Sequence, residues 1–318
     1  MPEPSDATAP DWPALPYEAW RPTCTTLHLW TQVVGKVRLA RTPWINHSWH
    51  ATLYVTARGL TTGPIPCPRV ALQFTFDFIT QRLLIQTSDG SERTLPLAPQ
   101  TVASFDAKVH DALTELGLPT TIYEMPNEVP AAIAFPEDHE HRIYDPNAAQ
   151  RFWRTLVQVD RVFKLFRTGY LGKASPVHLF WGAFDLAVTR FSGRRAPLHP
   201  GGVPGLPDEI TREAYSHEVS SAGFWPGGGG ADDASFYSYA YPEPPGFRAA
   251  NVRPAQAFYH EQLREFLLPY EVVRTADDPD RVLLDFLQTT YAAAADLGQW
   301  PRSELDCPLG KPGVPRAI

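Results

Sequence analysis

The sequence predicts an α+β protein made of two pseudo-repeats, each a helix, a run of antiparallel strands and a second helix, joined in one compact unit. Three observations carry this expectation. Four long segments repeat apolar residues every three or four positions between start and stop residues. The stretches between them alternate apolar and polar residues and are punctuated by turn residues. Short strings also recur in the same order in both halves.

The first helix spans about 17–40, where Trp20, Leu27, Trp30, Val34 and Val37 share a face and Pro22 falls near the start. A strand is expected at 50–58, with Ala51, Leu53, Val55 and Ala57 on its apolar side. Residues 70–78 and 82–87 form a hairpin, and a strand at 93–97 follows the turn at Ser88, Asp89 and Gly90. The helix over 101–116 carries Val102, Phe105, Val109, Leu113 and Leu116 and stops at Gly117. In the second half, Asp145 caps and Pro146 opens a helix through Phe152, Leu156, Val159, Phe163 and Phe166, ending at Gly169 or Gly172. Strands are expected at 177–190, 215–224, 236–241 and 267–274, and a short helix at 254–265. The last helix starts at Asp278 and Pro279, carries Val282, Leu283, Phe286, Leu287 and Leu297, and stops at Gly298.

The recurrences suggest a duplication with repeats at 12–135 and 136–301, flanked by loose tails at 1–11 and 302–318. His47, Trp49 and Ala51 precede Val55, Thr56 and Arg58 much as His178, Trp181 and Ala183 precede Val188, Thr189 and Arg190. Leu95-Pro96 leads into a helix ending Leu116-Gly117, and Leu268-Pro269 into one ending Leu297-Gly298.

Composition narrows the class. The chain has 318 residues, 43% of them hydrophobic, so a large core is available and disorder is excluded. Its 33 prolines gather in the tails, at helix starts and in the loops at 197–207 and 242–245, leaving helix interiors nearly free of them. The most apolar run, 177–188, carries His178 and Asp185 and is shorter than the ~18 residues of a membrane span. Residues 1–11 are acidic and proline-rich, unlike a secretory leader, and the expectation is a cytoplasmic protein. Cys24, Cys67 and Cys307 have no metal-type spacing and read as reduced thiols. With 28 basic and 35 acidic residues the net charge is −7, which disfavours nucleic acid as a partner.

The strings Leu27 to Gln32, Tyr54 to Leu60, Ser175 to Gly182, Arg190 to Arg195 and Tyr215 to Ser221 resemble a bacterial family catalogued as domain of unknown function 5996. The resemblance runs from about Trp12 to Trp300 and implies no activity, cofactor or catalytic residue. Dinucleotide, P-loop, zincin and nucleophile-elbow signatures are absent from the sequence.

Candidate site residues come from chemistry and position. His50, His178 and His217 are candidate ligands for a divalent transition metal, with Asp185 or Glu218 as the carboxylate. His178, Asp185, His217 and Glu218 are also the candidate catalytic acid–base groups, although His217 and Glu218 face opposite ways on a regular strand. Arg58, Arg190 and Arg194, each beside a turn or glycine, suit a small anion, and His47, Trp181 and Tyr239 complete the expected substrate contacts. Tyr237, Tyr239 and Tyr241 alternate along one strand face, and Phe224 and Trp225 precede a four-glycine run, a pattern that suits a pocket wall as well as a core edge. The expected function is an enzyme acting on a small anionic substrate between the repeats, metal-assisted or not. The alternative is a non-catalytic small-molecule-binding or protein-interaction module.

Overall fold

The computed structural model describes residues 12–228 and 232–316, and the chain is α+β: helices packed on two antiparallel sheets. The expected tail at 1–11 lies outside the described residues. Helix α1 (Tyr17–Arg41) is buried on almost every side from Thr23 to Arg38, so it forms the centre of the molecule. Gly35 in its interior lets the Trp181 ring lie against the helix; a Cβ there would sit 2.3 Å from that ring.

The first sheet contains β1 (Tyr54–Val55), β2 (Gly59–Thr61), β3 (Ile65–Pro66), β4 (Ala71–Asp77), β5 (Arg82–Thr87) and β6 (Glu92–Pro96), in the order β1-β2-β4-β5-β6 with β3 paired to β4. Cross-strand pairing of Phe74 with Ile85 and Phe76 with Leu83 buries one face of the hairpin. Helix α2 (Val102–Glu115) begins where the Thr101 hydroxyl accepts the Ser104 N–H at 3.1 Å. Its Phe105 ring stacks 4.7 Å from Trp30 of α1.

Helix α3 (Pro146–Thr168) opens on the predicted Asp145 cap. The second sheet then builds from β7 (His178–Phe180), β8 (Asp185–Arg195), β9 (His217–Trp225), β10 (Ser235–Tyr241), β11 (Phe258–His260) and β12 (Glu265–Pro269), in the order β11-β12-β10-β9-β8-β7. Helix α4 (Asp208–Ala214) lies between β8 and β9, and α5 (Tyr270–Arg274) leads to α6 (Pro279–Leu297). Helices α3 and α6 cover one face of this sheet, where Leu186, Val188, Phe224, Phe236 and Leu268 are fully buried. Alternation sends Asp185, Ala187, Thr189 and Phe191 to the other face.

Several expected elements differ. The single strand at 177–190 is a hairpin turned at Trp181 to Phe184, where Gly182 is the one ordinary turn residue and Phe184, at φ 56°, takes the left-handed position. The helix expected at 254–265 is instead a turn, β11 and the start of β12, because pairing with β12 overrides the helical spacing of Phe258, Tyr259 and Phe266. The expected strand at 267–274 ends at Pro269 and becomes α5, and the strand at 50–58 shrinks to β1. Residues 302–316, expected as a loose tail, carry α7 (Arg302–Leu305) and bond back to the end of α3 through Leu171 N–H to Leu305 O at 2.7 Å.

Each half runs helix, five-strand meander, helix: α1, β1-β2-β4-β5-β6, α2, then α3, β7-β8-β9-β10-β12, α6. The first strands of the two meanders meet at Leu53 and Leu179, which exchange both backbone hydrogen bonds at 2.9 and 2.8 Å. Leu95-Pro96 and Leu268-Pro269 both fall at the end of a fifth strand. Arg58 and Arg190 do not correspond as the string comparison suggests: Arg58 is in the β1–β2 turn and Arg190 is inside β8.

Candidate functional site

The face of the second sheet opposite α3 and α6 floors a cavity of about 340 Å³. Strands β8, β9 and β10 form the floor; the segment at 44–51, the turn at 181–183, the loop at 127–128 and residues of the 206–215 segment around α4 form the walls. Helix α1 pins two of these walls with side chains spaced four residues apart. His28 Nε2 donates toward the carbonyls of Trp181 and Gly182, both at 2.9 Å. Gln32 grips the Asn127 backbone with bonds of 2.8 and 2.9 Å, and Lys36 Nζ donates to Met125 O at 2.8 Å. His28 and Gln32 belong to the Leu27–Gln32 string, so that string positions the site. Asp185 and Phe191, six positions apart on β8, mark cavity ends about 20 Å apart.

One end is acidic and phenolic. Tyr237 lies flat over Gly223 of the neighbouring strand, and its hydroxyl reaches past that strand to donate to Asp185 Oδ2. A Cβ on residue 223 would stand 2.2 Å from the Tyr237 ring, so the glycine sets where the phenol sits. Burial pushes the Asp185 carboxyl up to about 6, a rise that the Tyr237 hydrogen bond only partly offsets. Glu128, held at φ 56° against Gly182, is pushed up to about 7 by burial and by Asp185. Glu265 of β12 is pushed up to about 8 by the same two causes. The hydroxyls of Tyr215 and Tyr239 bond to each other at 2.9 Å above this floor. Gly223→Ala is expected to lift the Tyr237 ring and cost about 1–3 kcal/mol. Because both substitutions break one contact, Gly223→Ala combined with Tyr237→Phe should be clearly less than additive in urea unfolding. Additive losses would show that residue 223 does not set the position of the phenol.

The other end is built on His47. Its N–H donates to both carboxylate oxygens of Glu213 on α4 at 2.8 and 3.1 Å. Its Nδ1 faces Ala214 O at 2.8 Å and therefore carries the proton, leaving Nε2 to accept from Lys173 Nζ at 2.6 Å. His217 lies nearby, with ring centres 6.3 Å apart.

The predicted site residues divide accordingly. His47, Trp181, Asp185 and Tyr239 line the cavity, and His217 stands beside its histidine end. Glu218 points away from His217, pairing with Arg194 at 2.7 Å, and that arginine donates to the carbonyls of Gly298 and Gln299 at the end of α6. Arg58 pairs with Asp77 of the first sheet at 2.7 Å. Arg190 is buried on the α3 and α6 face among Phe166, Tyr170 and Tyr291. The three arginines therefore do not converge on an anion, because each is taken up by a separate structural contact. His50 and His178 lie behind the cavity wall, apart from His217, so the three form no common ligand set. Among the described residues, no group of three or more His, Cys, Asp or Glu side chains could hold a metal ion.

Glu128, Tyr215 and Glu265 were not legible as site residues. Glu128 sits in an irregular loop with no motif; Tyr215 and Glu265 carry no local mark of their long-range neighbours. Asp185 and the alternating tyrosines of β10 were the residues that pointed toward this end of the cavity.

The fold and cavity define a two-sheet α+β protein with an aromatic and carboxylic pocket on one sheet face. A family model described as family of unknown function DUF5996 matches residues 12–307, and the chain belongs to that family. No curated protein and no solved structure matches it. Among the described residues, no helix is long and apolar enough to cross a membrane.

Proposed function

We propose that the protein binds a small amine-bearing molecule with an apolar or aromatic body in the cavity over its second sheet. The observation that carries this reading is the lining. Its carboxyls are Asp185 and Glu128, its walls are rings such as Trp49, Trp181, Trp225 and Tyr239, and no lysine or arginine lines it among the described residues. Carboxylates and π faces both favour a cation, and rings around a few polar groups suit a small ligand. This replaces the anionic substrate expected from the arginines. A catalytic version has one specific support: the Asp185 carboxyl, hydrogen-bonded by Tyr237, is raised by burial to about 6, which suits it to exchange a proton with a bound molecule.

Two finer readings go with this. The common helix–meander–helix order and the meeting of the two meanders at their first strands, through Leu53 and Leu179, support descent from a duplicated half. The free thiols of Cys24, Cys67 and Cys307 support a cytoplasmic location.

Calorimetric titration with an aryl-alkyl amine, a quaternary ammonium compound and carboxylates of the same carbon skeletons tests the ligand class. The amines are expected to bind, and Asp185→Asn to weaken them about 10-fold or more, the share of a charge-assisted hydrogen bond. Binding of the carboxylates alone, or undiminished amine binding by the variant, would overturn the proposal.

A further inference from the structure

Behind the cavity wall lies a basic cluster that the amine site does not use. Arg38, on the last turn of α1, is 8% exposed, and its Nε and Nη1 have no hydrogen-bond partner among the described residues. Among the described residues no carboxylate pairs with it; Tyr54 is hydrogen-bonded to it, with its ring 5.3 Å from the guanidinium carbon. His50 is 1% exposed and His178 is 0% exposed. The Ile45 N–H and carbonyl both lie at His50 Nδ1, at 3.2 and 3.3 Å, and Nε2 has no partner; in the tautomer that accepts the Ile45 N–H, Nε2 carries the proton. Both ring nitrogens of His178 are also unpartnered, and one of them bears a proton in any neutral tautomer. The Leu53–Leu179 bridge sets Tyr54 beside His178, and Arg38 lies over the Tyr54 ring, so the guanidinium and the His178 imidazole share a neighbour. The charge of Arg38 also acts on both imidazoles, opposed at His50 by that of Glu213. Trp44, at 4.6 Å from His50, and Phe180, at 4.5 Å from His178, wall the cluster with rings.

A buried guanidinium without a counter-charge is costly, and water can satisfy its N–H groups without neutralising it. The guanidinium also repels a metal cation, so the histidines that spacing suggested as metal ligands stand in a field of the wrong sign for one. We infer that Arg38, His50 and His178 form an internal site for a small monovalent anion, of halide, nitrate or formate size, held by N–H donors from all three side chains. Its neighbours Leu39, Trp49, Ala51 and Phe180 line the cavity, so the anion would brace that wall from behind.

Thermal unfolding of the full chain in sodium chloride, bromide, nitrate or formate, against sodium gluconate at matched ionic strength, tests this. At least one small anion is expected to raise Tm saturably by about 3–5 °C, whereas gluconate, too large for the site, should not. Arg38→Met is expected to lose that response while remaining at least as stable as the wild type in gluconate, because it removes an uncompensated charge. A wild-type Tm that does not distinguish the anions would overturn the site. So would an Arg38→Met protein that is destabilised equally in every salt. Bromide anomalous diffraction supplies a readout independent of folding: a peak between the three side chains is expected, and a water molecule with no anomalous signal would refute the assignment.

Discussion

Arg190→Ala is expected to lower the unfolding free energy by about 4 kcal/mol, in the range of deleting a large buried side chain. The guanidinium carbon lies 3.6 Å from the Phe166 ring centre, 4.3 Å from Tyr291 and 5.0 Å from Tyr170, and Nη2 donates to the Phe166 carbonyl. The side chain thus fills the junction of β8, α3 and α6 as an aromatic residue would, with cation–π attraction added. Truncation leaves a void among three rings and strands the carbonyl at the end of α3. Arg190→Met should be much milder, because its stem keeps the packing and it carries no buried charge. Urea denaturation of the three proteins checks the order; a loss below about 1 kcal/mol for Arg190→Ala would remove Arg190 from the core.

Raising the pH from about 6.5 to 8 is expected to destabilise the unliganded protein by roughly 2 kcal/mol or more, at 1.36 kcal/mol per proton per pH unit. The causes are Asp185, Glu128 and Glu265, raised by burial to about 6, 7 and 8. A carboxyl whose folded pKa lies above its unfolded value contributes its full stability below the unfolded pKa and loses it as the pH rises through the folded one. His28 and His178, lowered by burial to about 4 and 3, act oppositely: their contribution is present above the unfolded imidazole value and lost on acidification. The two sets oppose each other below about 6.5, the unfolded imidazole value, so the carboxyls dominate only above it. Glu265→Gln should flatten most of the slope. Denaturation midpoints that stay constant from pH 6.5 to 8 would mean that these carboxyls are not buried as described.

Helices were the most legible part of the chain because their signals are local. Asp145 with Pro146, Asp278 with Pro279, and Thr101 each cap the helix they announced. Strand ends were less legible because pairing decides them: Asp185 and Leu186 read as the continuation of a strand, yet the chain reverses just before them with Phe184 in the left-handed region. At the site, Asp185 stood out as a carboxylate in an apolar run, and it lines the cavity. The arginines were misleading because guanidinium groups serve structure as readily as ligands, here as a turn pair, a core filler and a helix cap. Glu128 was invisible because its place depends on Gln32 gripping the neighbouring Asn127 backbone, a contact across 95 positions of sequence.

The paired Leu53 and Leu179 amides have the reciprocal form of an isologous contact between identical subunits, enclosed in one polypeptide. Each covers part of the edge that the other sheet would otherwise present bare. A polypeptide truncated between α2 and α3 therefore exposes an unpaired strand edge and half of the surface that surrounds α1.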